Sequence, residues 1–149
     1  MSELRLISLN LLTLVLLFVV GFWIIGFPIA SQATSSNIFA LPRNADAYIE
    51  ISPDQLAAAL DHKDFTLINV HRPYEGELPQ TDIFIPYYQI NDHLDKLPID
   101  KTTPIVVYCR SGVMSGDVAR VLASLGYTHV ASVNGGMQAW LAANEPFVR

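Results

Sequence analysis

The apolar and polar positions of this 149-residue chain fall into two regimes. From Leu6 to Pro42 there is no charged residue, and LISLNLLTLVLLFVVGFWIIGFPIA (6–30) is interrupted by polar side chains only at Ser8, Asn10 and Thr13. At about 1.5 Å per residue, a helix of that length crosses a hydrocarbon core of about 30 Å. Beyond Arg43 the pattern breaks into short apolar runs separated by capping and turn residues.

Those runs predict alternating strands and helices. YIEIS (48–52) alternates as a strand. Ser52-Pro53-Asp54-Gln55 supplies an N-cap, a proline at the first helical position and a glutamine closing a capping box, so a helix is expected over 53–61. FTLINV (65–70) is nearly continuously apolar, as a strand covered on both faces should be. The stretch 71–88, with Pro73, Gly76, Pro79 and Pro86, reads as a long loop. Asn91 caps a short helix, DHLDKL, ended by Pro98. PIVVYC (104–109) is the most β-branched strand. A helix follows over 115–125, with Val118, Val121, Leu122 and Leu125 inward and Gly126 at its C′ position. HVASV (129–133), an Asn-Gly turn and a helix over 137–143 complete the pattern. Alternating βα units predict an α/β domain with a mostly parallel sheet.

The organisation expected is therefore an apolar amino-terminal segment (1–33), a small, polar linker (34–46) and an α/β domain (47–149). The first segment has two readings. As a cleaved signal peptide it has Ser31-Gln32-Ala33 as a processing site and Arg5 as its positive end. As a retained single-pass anchor it has a longer apolar run than most signals, with Trp23 near the far boundary. Either reading places the domain outside the cytoplasm, membrane-anchored through 6–30 if uncleaved and secreted or periplasmic if cleaved.

Composition narrows the chemistry. The net charge of −5 and the lack of a Lys/Arg cluster remove the electrostatic footprint of a nucleic-acid-binding protein. A single cysteine, Cys109, leaves no internal disulfide and no multi-cysteine metal site. His62, His93 and His129 are too scattered to pair as metal ligands. Trp140 and the Tyr87-Tyr88 pair read as core or rim aromatics.

Cys109 closes the apolar run 104–109 and opens a polar loop into a helix. In open parallel sheets, ligands bind beyond the carboxyl ends of the strands. Loop N–H groups can form an anion-binding nest there, the helix start adds partial positive charge, and Arg110 adds a full charge if it folds inward. Gly112 permits the positive φ that such a loop requires. Each effect favours a thiolate over a thiol, whose ordinary pKa is about 8.5. The plainer alternative is a buried cysteine filling the end of a strand.

YCRSGVMS, then a helix, then LGYTHVASVNGGMQAW resembles the single-domain rhodanese-like sulfurtransferases, whose loop typically reads Cys-Arg-Ser-Gly-x-Arg-Ser and whose last helix opens Gly-Gly-x-x-x-Trp. Gly135, Gly136 and Trp140 match that ending. LINVHRPYEGELP is similar to the family's Leu-Ile-Asp-Val-Arg and later Gly-His-Ile-Pro. The resemblance implies a three-layer domain with a central five-stranded sheet, mostly parallel and flanked by helices. It also implies a sulfur relay without metal or cofactor. Cys109 takes a sulfane sulfur from thiosulfate, a persulfide or a polysulfide, and a thiol or cyanide acceptor removes it. Arg110, Ser111, Gly112, Val113, Met114 and Ser115 form the loop that holds the anion.

This chain departs from the pattern at several places. Met114 stands where the family's second loop arginine is usual, which favours less charged donors. Asn69 replaces the usual aspartate, His71 the usual arginine and Glu77 the usual histidine. His71 and Arg72 are possible rim residues, with His71 either a proton shuttle or simply a loop hydrogen-bonder. Glu75 and Glu77 read as a solvated face. The spacing argues against a cysteine phosphatase or arsenate reductase, because Ser115 stands where an arginine would close the oxyanion loop. The remaining alternative to a sulfurtransferase is a membrane-tethered binding or redox-sensing module; sensing through a Cys109 sulfenate needs a partner thiol from another molecule.

Overall fold

The computed structural model describes residues 37–149, so the apolar stretch 6–30 lies outside the described residues. Among the described residues, no helix is long and apolar enough to cross a membrane. Five strands form one sheet: β1 (Ile49–Ile51), β2 (Thr66–Asn69), β3 (Ile83–Phe84), β4 (Ile105–Tyr108) and β5 (Val130–Val133). All neighbours run parallel, in the order β1-β5-β4-β2-β3. Three α-helices accompany it: α1 (Pro53–Leu60), α2 (Val113–Ser124) and α3 (Gly136–Ala142).

The period-2 alternation of the strands divides the core between the two faces. Leu67, Val106, Tyr108, Ala131 and Val133 point to one side, where they meet Leu56 and Leu60 of α1 and Met137 and Trp140 of α3. Ile68, Val70, Ile105, Val107, Cys109 and Val130 point to the other, against Val118, Ala119 and Leu122 of α2 and Ile90 and Leu97. This is the three-layer arrangement expected of a parallel sheet buried on both faces. Trp140 is fully buried in the first layer, with its indole N–H donating to the Pro146 carbonyl at 2.7 Å.

The capping box forms as the sequence predicts. Gln55 N–H donates to Ser52 Oγ at 3.2 Å and Ser52 N–H to Gln55 Oε1 at 2.8 Å. Three expectations change. The stretch 71–88 is not all loop, because Ile83–Phe84 pairs with Ile68–Asn69 as the edge strand. The short helix after Asn91 is instead a longer 3₁₀ run, Tyr87–Lys96, broken by a non-helical His93. α2 begins at Val113 rather than at 115, because Gly112 (φ 94°) turns the chain directly into the helix and Gly116 N–H already bonds to its carbonyl. In the described part of the linker, Ile38–Ala40 form a 3₁₀ turn that buries Ile38 in the core.

Candidate active site

β4 is the middle strand, and it delivers Cys109 to the carboxyl edge of the sheet, one residue beyond Tyr108. Alternation places the side chain with Ile105 and Val107 on the α2 face, where the thiol is buried. The chain must then reverse into α2. Gly112 makes that reversal in the left-handed region, and its N–H donates to Cys109 Sγ at 3.1 Å. The sulfur therefore sits against a backbone donor at the start of a 12-residue helix, where partial positive charge stabilises an anion.

Two further sets of contacts hold this loop. On the α2 face, buried Ser132 of β5 donates to Ser115 Oγ at 2.9 Å, and Ser115 donates to the Gly112 carbonyl at 3.1 Å. From the other side, the start of α3 grips the loop backbone. Met137 N–H donates to the Cys109 carbonyl and Gln138 N–H to that of Arg110, both at 2.9 Å. Gly136 (φ 53°) makes this approach possible: a Cβ there would collide with the Cys109 carbonyl oxygen and lie 2.8 Å from the Arg110 carbonyl carbon. The Gly-Gly of the sequence motif is thus a clamp on the cysteine loop.

The remaining loop residues behave less uniformly than expected. Gly112 is the one backbone donor placed on the sulfur among the described residues. Ser111 and Val113 are exposed, Met114 is half-buried against the α2-side core, and Ser115 is fully buried. Ser111, Gly112 and Val113 also line an open cleft of about 240 Å³ with Tyr48, Glu50 and the end of β5. Arg110 does not fold inward over the sulfur. It lies half-exposed, with Nη1 3.4 Å from Glu75 Oε1, so Glu75 is a partner of the loop rather than a merely solvated carboxylate. Arg72 is exposed, whereas His71 is buried, with Nε2 3.3 Å from the other oxygen of Glu75.

The segment carrying His71 and Glu75 is fixed at both ends. Asn69 accepts the His71 N–H at 2.9 Å and donates to the Gly76 carbonyl at 3.0 Å, which closes the turn on itself. Beyond it, the Tyr108 hydroxyl accepts Leu78 N–H at 3.0 Å and pairs with Thr81 Oγ1 at 2.8 Å. Burial pushes that hydroxyl up to about 12, so it stays protonated. Ser132 and the Tyr108 hydroxyl were not legible as site-forming groups, because each acts through a partner distant in sequence. The one available signal was their place at or beside strand ends.

Comparison with known proteins agrees with this geometry. Residues 52–143 match the model of the rhodanese-like domain family. A sulfurtransferase of Allochromatium vinosum is 31% identical over 103 residues, covering 66% of this chain and 94% of that protein. The thiosulfate sulfurtransferase GlpE of Glaesserella parasuis is 26% identical, covering 68% and 94%. Among solved structures, a rhodanese-related protein from Thermoplasma volcanium superposes with a TM-score of 0.59 at 26% identity, over 68% of this chain and 98% of that one. From the cysteine loop, its glycine clamp and these matches, the chain belongs to the rhodanese-like domain family.

Proposed function

We propose that the protein is a sulfurtransferase carrying a sulfane sulfur on Cys109. The thiolate attacks the outer sulfur of a donor, thiosulfate or a persulfide or polysulfide, and becomes a persulfide as the rest of the donor leaves. A thiol or cyanide acceptor then attacks the outer sulfur of that persulfide and returns the thiolate. The observation that carries this reading is the N–H of Gly112 on Cys109 Sγ at 3.1 Å, at the carboxyl edge of a parallel sheet and the start of α2. The same loop that holds the thiolate suits the persulfide anion. The sulfurtransferase names of the relatives support it.

The test is intact-mass analysis of the reduced protein after exposure to thiosulfate or to polysulfide. A gain of about 32 Da, one sulfur atom, is expected on Cys109 and is lost in Cys109→Ser. No gain with either donor overturns the reading. The uncharged stretch 6–42 further supports a domain working outside the cytoplasm, tethered through 6–30 or released after Ala33. Fractionation of cells producing the tagged chain tests this, and recovery with the cytosolic proteins removes it.

A further inference from the structure

Among the described residues, His71 holds the only buried side-chain polar atoms without a hydrogen-bond partner, and both of its ring nitrogens are in that state. The residue is 5% exposed. Its buried polar neighbours in the fold behave differently: Asn69, Ser115 and Ser132 are all hydrogen-bonded. A histidine serving only to tie down its loop would bond through the ring, whereas here the backbone N–H and Asn69 do that work. The nearest acceptor, Glu75 Oε2, lies 3.3 Å from Nε2 but without the alignment of a hydrogen bond, and Nδ1 has no partner. Hydrogen bonds that carry protons in a reaction are often long or misaligned until substrate is bound, and a buried polar group left short of partners is costly and persists where it has a task.

Its position indicates the task. β2 and β4 are in register through Asn69 and Tyr108, and Val70 N–H donates to the Tyr108 carbonyl. His71 therefore follows β2 at the same sheet edge where Cys109 and Arg110 follow β4. Glu75 spans the two chains, with one oxygen 3.3 Å from His71 Nε2 and the other 3.4 Å from Arg110 Nη1. Its carboxylate is 40% exposed, so it joins a buried imidazole to the rim of the cysteine loop. An imidazole can accept a proton at one ring nitrogen and donate from the other, the chemistry a relay needs.

We propose that His71, acting through Glu75, is the proton store of the sulfur-transfer cycle. The inference rests on Cys109 being the persulfide carrier. In the acceptor step the S–H bond of a thiol acceptor breaks and its proton passes by way of Glu75 to a His71 nitrogen. The resulting thiolate forms an S–S bond to the outer sulfur of the Cys109 persulfide. The bond between that sulfur and Cys109 Sγ breaks, and its electron pair stays on Cys109. With a thiol persulfide as donor the flow reverses: Cys109 thiolate takes the outer sulfur, and the departing thiolate receives the proton from His71. With that donor the histidine ends a full cycle as it began; with thiosulfate, the stored proton leaves to solvent or to the departing sulfite by way of the exposed Glu75. His71 is a positioning and relay residue, reaching the substrate only through Glu75.

The experiment uses the full chain with its persulfide preformed, following loss of the extra sulfur by mass at about pH 7.5. Two acceptors are compared: glutathione, whose thiol is mostly protonated there and must give up its proton, and sulfite, whose dianion attacks through a sulfur lone pair with no S–H bond to break. The ratio of the glutathione rate to the sulfite rate is expected to fall about 10²-fold in His71→Ala and to recover with added imidazole. Glu75→Gln, at a half-exposed position, should lower the same ratio, and it decides the matter should His71→Ala fail to fold. Equal slowing with both acceptors, or an unchanged ratio, overturns the proposal. Failure of the wild-type chain to take up sulfur is seen earlier, at loading, and removes the underlying reading and this proposal together.

Discussion

The Cα of Gly136 lies so close to the carbonyl of Cys109 that no side chain fits between the start of α3 and the cysteine loop. Gly136→Ala therefore has to displace the loop backbone as well as accept a positive φ. A loss of about 1–3 kcal/mol is expected, together with loss of persulfide formation. Gly126→Ala is the control, because Gly126 also has positive φ (91°) but a Cβ there meets nothing within 4 Å. It should cost about 1 kcal/mol and leave sulfur loading intact. Denaturant midpoints and intact mass separate the two, and equal behaviour would remove the clamp.

The pair of buried serines makes a graded prediction. Ser115→Ala leaves the Ser132 hydroxyl without its acceptor and the Gly112 carbonyl without its side-chain donor. It should destabilise the domain by about 1–3 kcal/mol. Ser132→Ala removes a donor while Ser115 keeps its bond to Gly112, so a smaller loss, about 1 kcal/mol, is expected by urea denaturation.

Tyr108 links the core to the segment after Glu75, and its titration gives a pH signature. Its hydroxyl is raised from the ordinary 10.0 to about 12, chiefly by burial. The folded state then holds the proton more tightly than the unfolded one. Its contribution is complete below pH 10 and declines as the pH rises to about 12, by about 2–3 kcal/mol. Tyr108→Phe should flatten that slope while leaving the Leu78 N–H unpaired, at a cost of about 1–3 kcal/mol at neutral pH. Denaturation followed against pH measures both.

Met114 sits half-buried in the first turn of α2, at the family's arginine position. With Arg110 engaged by Glu75, Met114→Arg would add a cation to the cysteine loop. Thiosulfate loading of Cys109 is expected to rise about 2- to 5-fold, with the gain shrinking as salt increases. Loading by a persulfide, whose reacting group carries less charge than thiosulfate, should change less. An equal change for both donors would show that charge at this position does not select between them.

Local physics made the α/β class, the order of the longer elements and the cysteine loop readable from the chain. Ser52-Pro53-Asp54-Gln55 carries its own capping instructions, and the apolar runs at 65–70 and 104–109 announce strands buried on both faces. Cys109 and Gly112 announced a turned loop at a strand end, whereas the grip of Gly136 on that loop came from the packing of α3 against it. β3 was invisible because two residues are too short to display a period, and it exists only because β2 offers a free edge. The start of α2 moved because the conformation of Gly112, not the helical pattern after it, sets the boundary.

The site beyond the cysteine depended on tertiary structure. Arg110 could turn toward the sulfur or away, and Glu75, 35 residues earlier, decides this by pairing with it. Ser132 reaches Ser115 because β5 lies beside β4, under α2. Asn69, not the His71 ring, closes the turn that carries His71, and this leaves the imidazole buried beside Glu75. The sequence by itself determined which residues are apolar, which cap, and which turn. Only the packed sheet determined which polar side chains meet, because those contacts join residues whose separation along the chain carries no periodic signal.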